Sequence, residues 1–384
     1  MYFCVVKTLS KYSAILLLFL LIFNNLNGLS AKSNDTIIVK NLQIEIKASY
    51  GFMLCHHPEM NFFKAHFPLY ELSLQQATFG RKSWQSKANY PFVGITFLYS
   101  GLGGFKEIGS VYALYPYMSF NCLKSHKNQL NLKLGIGLGI LTKVFDAKDN
   151  PKNTFIGSHA NAAINLMAEY NRFITNRLSI SAFIGFTHFS NGARRAPNNG
   201  INIPNAGLSA KYFLNEPKPY IPKRNTDNQQ YKGWSRENIS IYAAFTYSVK
   251  DIDEYMGYGK LWSVYAIHLN GLKRLSEMSR LGIGVDVLYD LTDIDVLKHQ
   301  GIQAKPIEIL KPGINVAYEI AFGSTSFLFN VGCHLAGKDM GDGRIYQKIQ
   351  AMQTINKYIF VTCGVVTHFG WADNFCFGLG YRFN

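Results

Sequence analysis

Arg177-Leu178-Ser179-Ile180-Ser181-Ala182-Phe183-Ile184-Gly185-Phe186-Thr187-His188-Phe189-Ser190-Asn191-Gly192 reads as a strand running into a polar loop. Side chains of a strand alternate between its two faces. Leu178, Ile180, Ala182, Ile184 and Phe186 therefore share one face, and the same phase carries His188 and Ser190. A second strand follows the loop. In it Ala206, Leu208, Ala210, Tyr212 and Leu214 share a face, and that phase runs back to Asn202. A base and a hydroxyl two residues apart on one strand face lie side by side, within hydrogen-bond reach. His188, Ser190 and Asn202 are thus expected together on the apolar side of one hairpin, near its tip. A soluble protein rarely puts a nucleophile there. A membrane protein whose substrate is a lipid has reason to.

The same alternation recurs along the chain. Leu130, Leu132, Leu134, Ile136, Leu138 and Ile140 alternate with Asn131, Lys133, Gly135, Gly137 and Gly139. A run of that length suits a tilted strand crossing a bilayer, with a polar inner face. Leu42 to Phe52 repeats the pattern, as do runs near 68–82, 91–101, 107–120 and 157–172. After a polar, proline-containing stretch at 215–238, further runs lie near 239–249, 261–271, 281–289, 310–320, 325–335, 345–354 and 358–368. The last is Phe375, Phe377, Leu379, Tyr381 and Phe383, alternating with small or polar residues. The fold class expected is all-β, an antiparallel transmembrane β-barrel of about 12–16 strands. One wide barrel over residues 32–384 is the first expectation. An eight-stranded barrel plus a second β unit, with the internal boundary at 215–238, is the alternative.

Composition and leader agree with an exported barrel. Lys7 and Lys11 precede the apolar stretch 12–23, and Gly28, Ser30 and Ala31 offer a small-residue cleavage site, so residues 1–31 read as a signal peptide. The apolar stretch is short for a spanning helix. Of the whole chain 48% is hydrophobic and 14% aromatic, with Phe 28, Tyr 23 and Gly 33. Aromatics and glycine without a long apolar helix suit a membrane barrel; a secreted β-sandwich shares much of that composition. The net charge of +15 would suit nucleic acid, but an exported barrel meets anionic lipid instead, and no nucleic-acid partner is expected. Cys55, Cys122, Cys333, Cys363 and Cys376 are widely spaced and lack metal-ligand spacing; Cys333 and Cys376 are expected in the apolar phase of strand-like runs and read as small hydrophobes. No metal or other cofactor is expected.

His188-Phe189-Ser190-Asn191-Gly192, followed by Pro197-Asn198-Asn199-Gly200-Ile201-Asn202, resembles the active-site hairpin of the outer-membrane lipid A 3-O-deacylases of PagL type. That family's pattern is His-x-Ser-Asn, a Pro-Asn-x-Gly-Ile run, and a glutamate twelve residues after the serine. The rest of the chain is similar to larger acyloxyacyl-hydrolase-like barrels, including His56-His57-Pro58-Glu59-Met60 and Lys338-Asp339-Met340-Gly341-Asp342-Gly343-Arg344. The resemblance implies an outer-membrane esterase acting on lipid A or lipopolysaccharide in the outer leaflet. It implies Ser190 as nucleophile, His188 as general base, and Asn191 as an aid to the oxyanion, joined by the Gly192 backbone.

This chain departs from the pattern where the glutamate should be: position 202 is Asn. An amide accepts the ring N–H and fixes the tautomer, but it brings no charge to stabilise an imidazolium. No Asp or Glu lies between 173 and 215, so any substitute comes from elsewhere in the fold. Arg194 and Arg195 either grip lipid phosphates or are solvated loop charges. His56-His57 lacks a clear third metal ligand and reads as a loop pair. The echo Thr367-His368-Phe369-Gly370 has glycine where the serine would be, so it cannot repeat the chemistry. The competing class is a non-enzymatic barrel, a pore or a transport or structural protein.

Overall fold

Alternation turns a strand into a wall with two faces, and a wall that closes on itself leaves no unpaired edge. A computed structural model describes residues 42–78, 82–125, 127–215, 238–252, 260–341 and 343–383. The leader expected at 1–31 and most of the boundary stretch at 215–238 lie outside the described residues. Among the described residues no helix is long and apolar enough to cross a membrane.

Among the described residues, sixteen strands form two closed antiparallel barrels of eight. The first runs β1 (Leu42–Phe52), β2 (His66–Ala77), β3 (Phe92–Ser100), β4 (Val111–Lys124), β5 (Asn128–Leu141), β6 (Ala160–Phe173), β7 (Leu178–Ser190) and β8 (Ile201–Phe213). The second runs β9 (Ile239–Lys250), β10 (Trp262–Arg274), β11 (Ser279–Asp290), β12 (Leu310–Phe322), β13 (Thr325–His334), β14 (Ile345–Thr354), β15 (Ile359–His368) and β16 (Trp371–Arg382). The all-β antiparallel reading and the strand count hold, but the strands close as two rings and not as one wide barrel. The reason lies in the pairing. β1 bonds to both β2 and β8, and β9 bonds to both β10 and β16, so neither ring leaves an edge for the other to join. The chain divides into two units, one built on each barrel, and Asn191–Asn198 belongs to the second.

In the first barrel the outward face carries Ile46, Tyr50, Tyr70, Leu72, Leu132, Leu166, Ile184 and Leu208, all exposed. An apolar belt of this extent is unsuited to water and suited to lipid. Its inward face is polar, buried and charge-matched. Lys47 bonds Glu45 and Glu169, Lys211 reaches Glu169 at 2.8 Å and Glu45 at 3.3 Å, and Lys133 reaches Glu71 at 3.3 Å. An eight-stranded ring has an interior that side chains can fill, and these ion pairs fill it. Glycines on the inner face of β5 make room for large neighbours. A Cβ at Gly137 would lie 2.5 Å from the Cβ of Tyr115, and one at Gly139 would lie 2.6 Å from the ring of Phe189. Toward the ends of the strands that bear the longer loops, the interior becomes an apolar plug of Met53, Met60, Phe63, Leu102, Phe155 and Phe189 with their neighbours.

The second barrel is filled in the same manner around Asp286. Its carboxylate accepts from Asn315 at 2.7 Å, from Lys348 at 3.0 Å and from Tyr346, and meets His268 Nδ1 at 2.5 Å. Cys376, expected on the apolar face, turns into this interior because Phe375 and Phe377 hold the outward phase. The five described cysteines are all free.

Replacing Lys47 by Met leaves Glu45 and Glu169 with only Lys211 of the two cations they share. Breaking a buried pair in this way costs about 3–5 kcal/mol. The expected outcome is a matching drop in stability against urea in detergent, followed by the gel shift of the folded barrel.

Candidate active site

β7 and β8 pair in register with Phe186 opposite Pro204, His188 opposite Asn202 and Phe189 opposite Ile201. Thr187 and Phe189 point inward and are fully buried. Phe189 joins the apolar plug together with Ile201 and Ile203, and that anchorage sets the phase of its neighbours. His188 is therefore turned outward, one step beyond Phe186 in the series headed by the exposed Ile180 and Ile184. Ser190 follows two residues later at the last residue of the strand, and is buried.

Across the strand pair, His188 Nδ1 lies 2.7 Å from Asn202 Oδ1. An amide oxygen can only accept, so the ring proton sits on Nδ1 and Nε2 is left as the basic nitrogen. The same amide turns its Nδ2 toward His56 Nδ1 at 3.4 Å. His56 lies on the β1–β2 loop, which the backbone bond from Leu54 N to Asn202 O, 2.9 Å long, ties to β8. Gly200 closes the hairpin with φ +74°, and a Cβ there would come 2.9 Å from His188 Cε1. The hairpin is further held by Gly200 N donating to Phe155 O at 3.1 Å and Asn199 Nδ2 donating to Thr154 O at 3.0 Å.

Within Asn191–Asn198, Asn191 organises the loop. Its backbone N–H donates to Asn198 Oδ1 at 2.8 Å and its Nδ2 to Arg195 O at 2.6 Å. One of the two amide hydrogens is thereby committed to the loop. Gly192 adopts φ +61° and Ala193 φ +58°, so the backbone turns sharply just after Ser190. Arg195 is exposed and Arg194 half-buried.

Residues 69–211 match the family model described as lipid A 3-O-deacylase (PagL), and residues 238–384 match the model of the acyloxyacyl hydrolase C-terminal domain. The first match lies within the first barrel and the second spans the whole of the second barrel. The PagL match spans the whole of β7 and its site hairpin. No curated protein matches the sequence. Among solved structures, Neisserial surface protein A is similar at 7% identity and TM-score 0.33, over 45% of this chain and 97% of that one. The outer membrane enzyme PagL is similar at 17% identity and TM-score 0.29, over 44% of this chain and 98% of that one. A mutant of the Rh. blastica porin covers 89% of this chain and 98% of its own at 10% identity and TM-score 0.18.

Of the three residues singled out by phase, His188 and Asn202 meet across the strand pair, and Ser190 is buried at the end of β7. His56 lies on a loop, as the sequence reading had it, but its contact with Asn202 was not expected, although a signal for it existed. Phe52, Leu54 and His56 continue the outward phase of β1 past the strand's end. What the phase alone lacks is the closure of β1 on β8. The echo at His368 also resolves. It ends β15, the seventh strand of its own barrel, but there Phe360 and Thr362 hold the even positions inward, and His368 is buried with Nδ1 on Ile345 O at 2.9 Å.

Substituting Gly200 by Ala adds a left-handed strain of about 1 kcal/mol or more and a Cβ against the His188 ring. The expected outcome is a displaced imidazole and a longer Nδ1 to Asn202 contact, read by crystallography of the variant, while β7 and β8 keep their pairing.

Proposed function

We propose that this chain is an outer-membrane esterase that hydrolyses an acyl ester of lipid A in lipopolysaccharide through a serine–histidine mechanism. One observation carries the reading: the His188–Asn202 pair at 2.7 Å, on the lipid-facing side of the wall, with Ser190 next in phase. The family match over the same hairpin supports it. So does the long-loop end at which the hairpin lies, since outward-facing loops of such barrels are the longer ones. After export with cleavage of the leader, that end reaches the outer leaflet.

His188 Nε2 takes the proton of Ser190 Oγ as the oxygen attacks the acyl carbonyl. The carbonyl oxygen becomes an oxyanion. The Gly192 N–H and the second Nδ2 hydrogen of Asn191 lie in the turn that follows the serine and serve as its donors. The bond to the sugar oxygen breaks, and the imidazolium gives its proton to that leaving oxygen. Water, deprotonated by His188, then attacks the acyl-enzyme, releasing the fatty acid and restoring Ser190. Asn202 holds the tautomer but adds no charge, so turnover is slower than with a carboxylate. Arg194 and Arg195 bind the phosphates of the lipid head group. A pore function lacks support, because both barrel interiors are filled with paired side chains and not open.

Mass spectrometry of lipid A from cells carrying the wild-type chain is expected to show loss of an acyl group. Ser190→Ala is expected to remove that change, a fall of about 10³-fold or more, with membrane insertion intact. Identical profiles from the two would overturn the reading, and an acyl loss seen only in phospholipid would reassign the substrate. Asn202→Glu is expected to raise turnover by about tenfold or more, the direction set by a charged partner for the imidazolium.

A further inference from the structure

A carboxylate and an amide differ in one way that matters here. Both oxygens of a carboxylate accept, so it cannot face an imidazole N–H wrongly. An amide has one acceptor and one donor end, related by a rotation that leaves its shape nearly unchanged. With Nδ2 toward His188, the ring would have to accept at Nδ1 and carry its proton on Nε2. Nε2 would then be unable to take a proton from Ser190. An asparagine at 202 therefore needs something beyond His188 to hold its orientation.

His56 is placed to do this. Its Nδ1 is 3.4 Å from Asn202 Nδ2 and 3.5 Å from Leu54 O. The two contacts demand opposite states of Nδ1, acceptor in the first and donor in the second. With the proton on Nε2 of His56, Nδ1 accepts from the amide and its hydrogens are turned away from His188. The loop that carries His56 is built to keep it there. Met53 N donates to Ala65 O at 3.1 Å, Leu54 N to Asn202 O at 2.9 Å and Met60 N to His57 O at 3.1 Å. The Cys55 thiol donates to Met60 O at 3.1 Å, and burial pushes its pKa up, so it remains a donor. Met60 is fully buried in the apolar plug. The ring of His57 lies against that of His56, centroids 4.6 Å apart.

We propose that His56 is a positioning residue that orients the Asn202 amide, so that Asn202 Oδ1 faces His188 Nδ1 and His188 Nε2 remains the base. The proposal rests on the esterase reading for its effect on rate, but not for its effect on the tautomer. A plain loop histidine would share the exposure of His56; it would have no reason to be tied through Leu54 to the backbone of the very residue whose side chain it meets.

The test is a cycle of His56→Ala, His56→Gln, Asn202→Glu and the double variant in detergent-solubilised full chain. Two readouts apply: acyl release from lipid A, and the protonation of the His188 ring nitrogens by ¹⁵N NMR of histidine-labelled protein. His56→Ala is expected to lower kcat about five- to tenfold with KM unchanged, the range one orienting hydrogen bond supports. It should also move His188 from the Nδ1–H form toward a mixture with Nε2–H. His56→Gln, whose amide oxygen accepts in the same place, should restore much of both. With Glu at 202 the His56→Ala change should have no effect, since a carboxylate cannot be misoriented. An unchanged His188 tautomer in His56→Ala overturns the proposal, as does an equal loss of rate with Asn or Glu at 202. A wild-type chain that releases no acyl group overturns the esterase reading instead, and the NMR result then decides the positioning role by itself.

Discussion

The ion pairs inside the first barrel fix what its outside can do. Lys47, Lys133 and Lys211 face Glu45, Glu71 and Glu169 in a charge-balanced interior. Because side chains alternate with period two, a slip of one residue would send a strand's charges into lipid and its apolar face into the lumen. Each of those charges is far costlier against hydrocarbon than against its partner. The interior thus holds every strand in one phase. On β7 that phase turns Thr187 and Phe189 inward and His188 outward, with Ser190 buried at the strand's end.

Closure matters as much as phase. A ring of eight strands has a first strand that must meet its last, and here β1 lies against β8. Residues 146 positions apart, His56 and Asn202, become neighbours on the outer wall through that single pairing. The second barrel closes by the same rule through β9 and β16 and fills its interior around Asp286. Its seventh strand carries a histidine near the same place, yet in the opposite phase, with glycine in place of the hydroxyl. The two histidines therefore face opposite sides of their own walls.

The exchange of Glu for Asn at position 202 ties site and fold together. A carboxylate would orient itself and would charge-stabilise the imidazolium. An amide does neither unaided. It depends on a neighbour that can accept a hydrogen bond, and the β1–β2 loop supplies one, anchored by Met60 in the plug and by Leu54 on β8. The glycines take part from the other side. Gly139 gives Phe189 its space and Gly200 gives the His188 ring its space, so small residues on β5 and in the hairpin set where large ones stand.

The sequence by itself determined the strands of the described residues, the polar or apolar character of most of their faces, and the phase shared by His188 and Asn202 with the apolar faces of their strands. These follow from local alternation, which needs no knowledge of distant residues. It did not determine whether sixteen strands make one ring or two, since edge pairing depends on which strand ends meet. Nor did it reveal His56, whose outward phase was legible but whose neighbour was not. Cys376 was placed on the wrong face because a cysteine between phenylalanines carries no phase of its own. Pairing partners and barrel closure are non-local, and only the tertiary structure, where all strands satisfy their edges at once, could decide them.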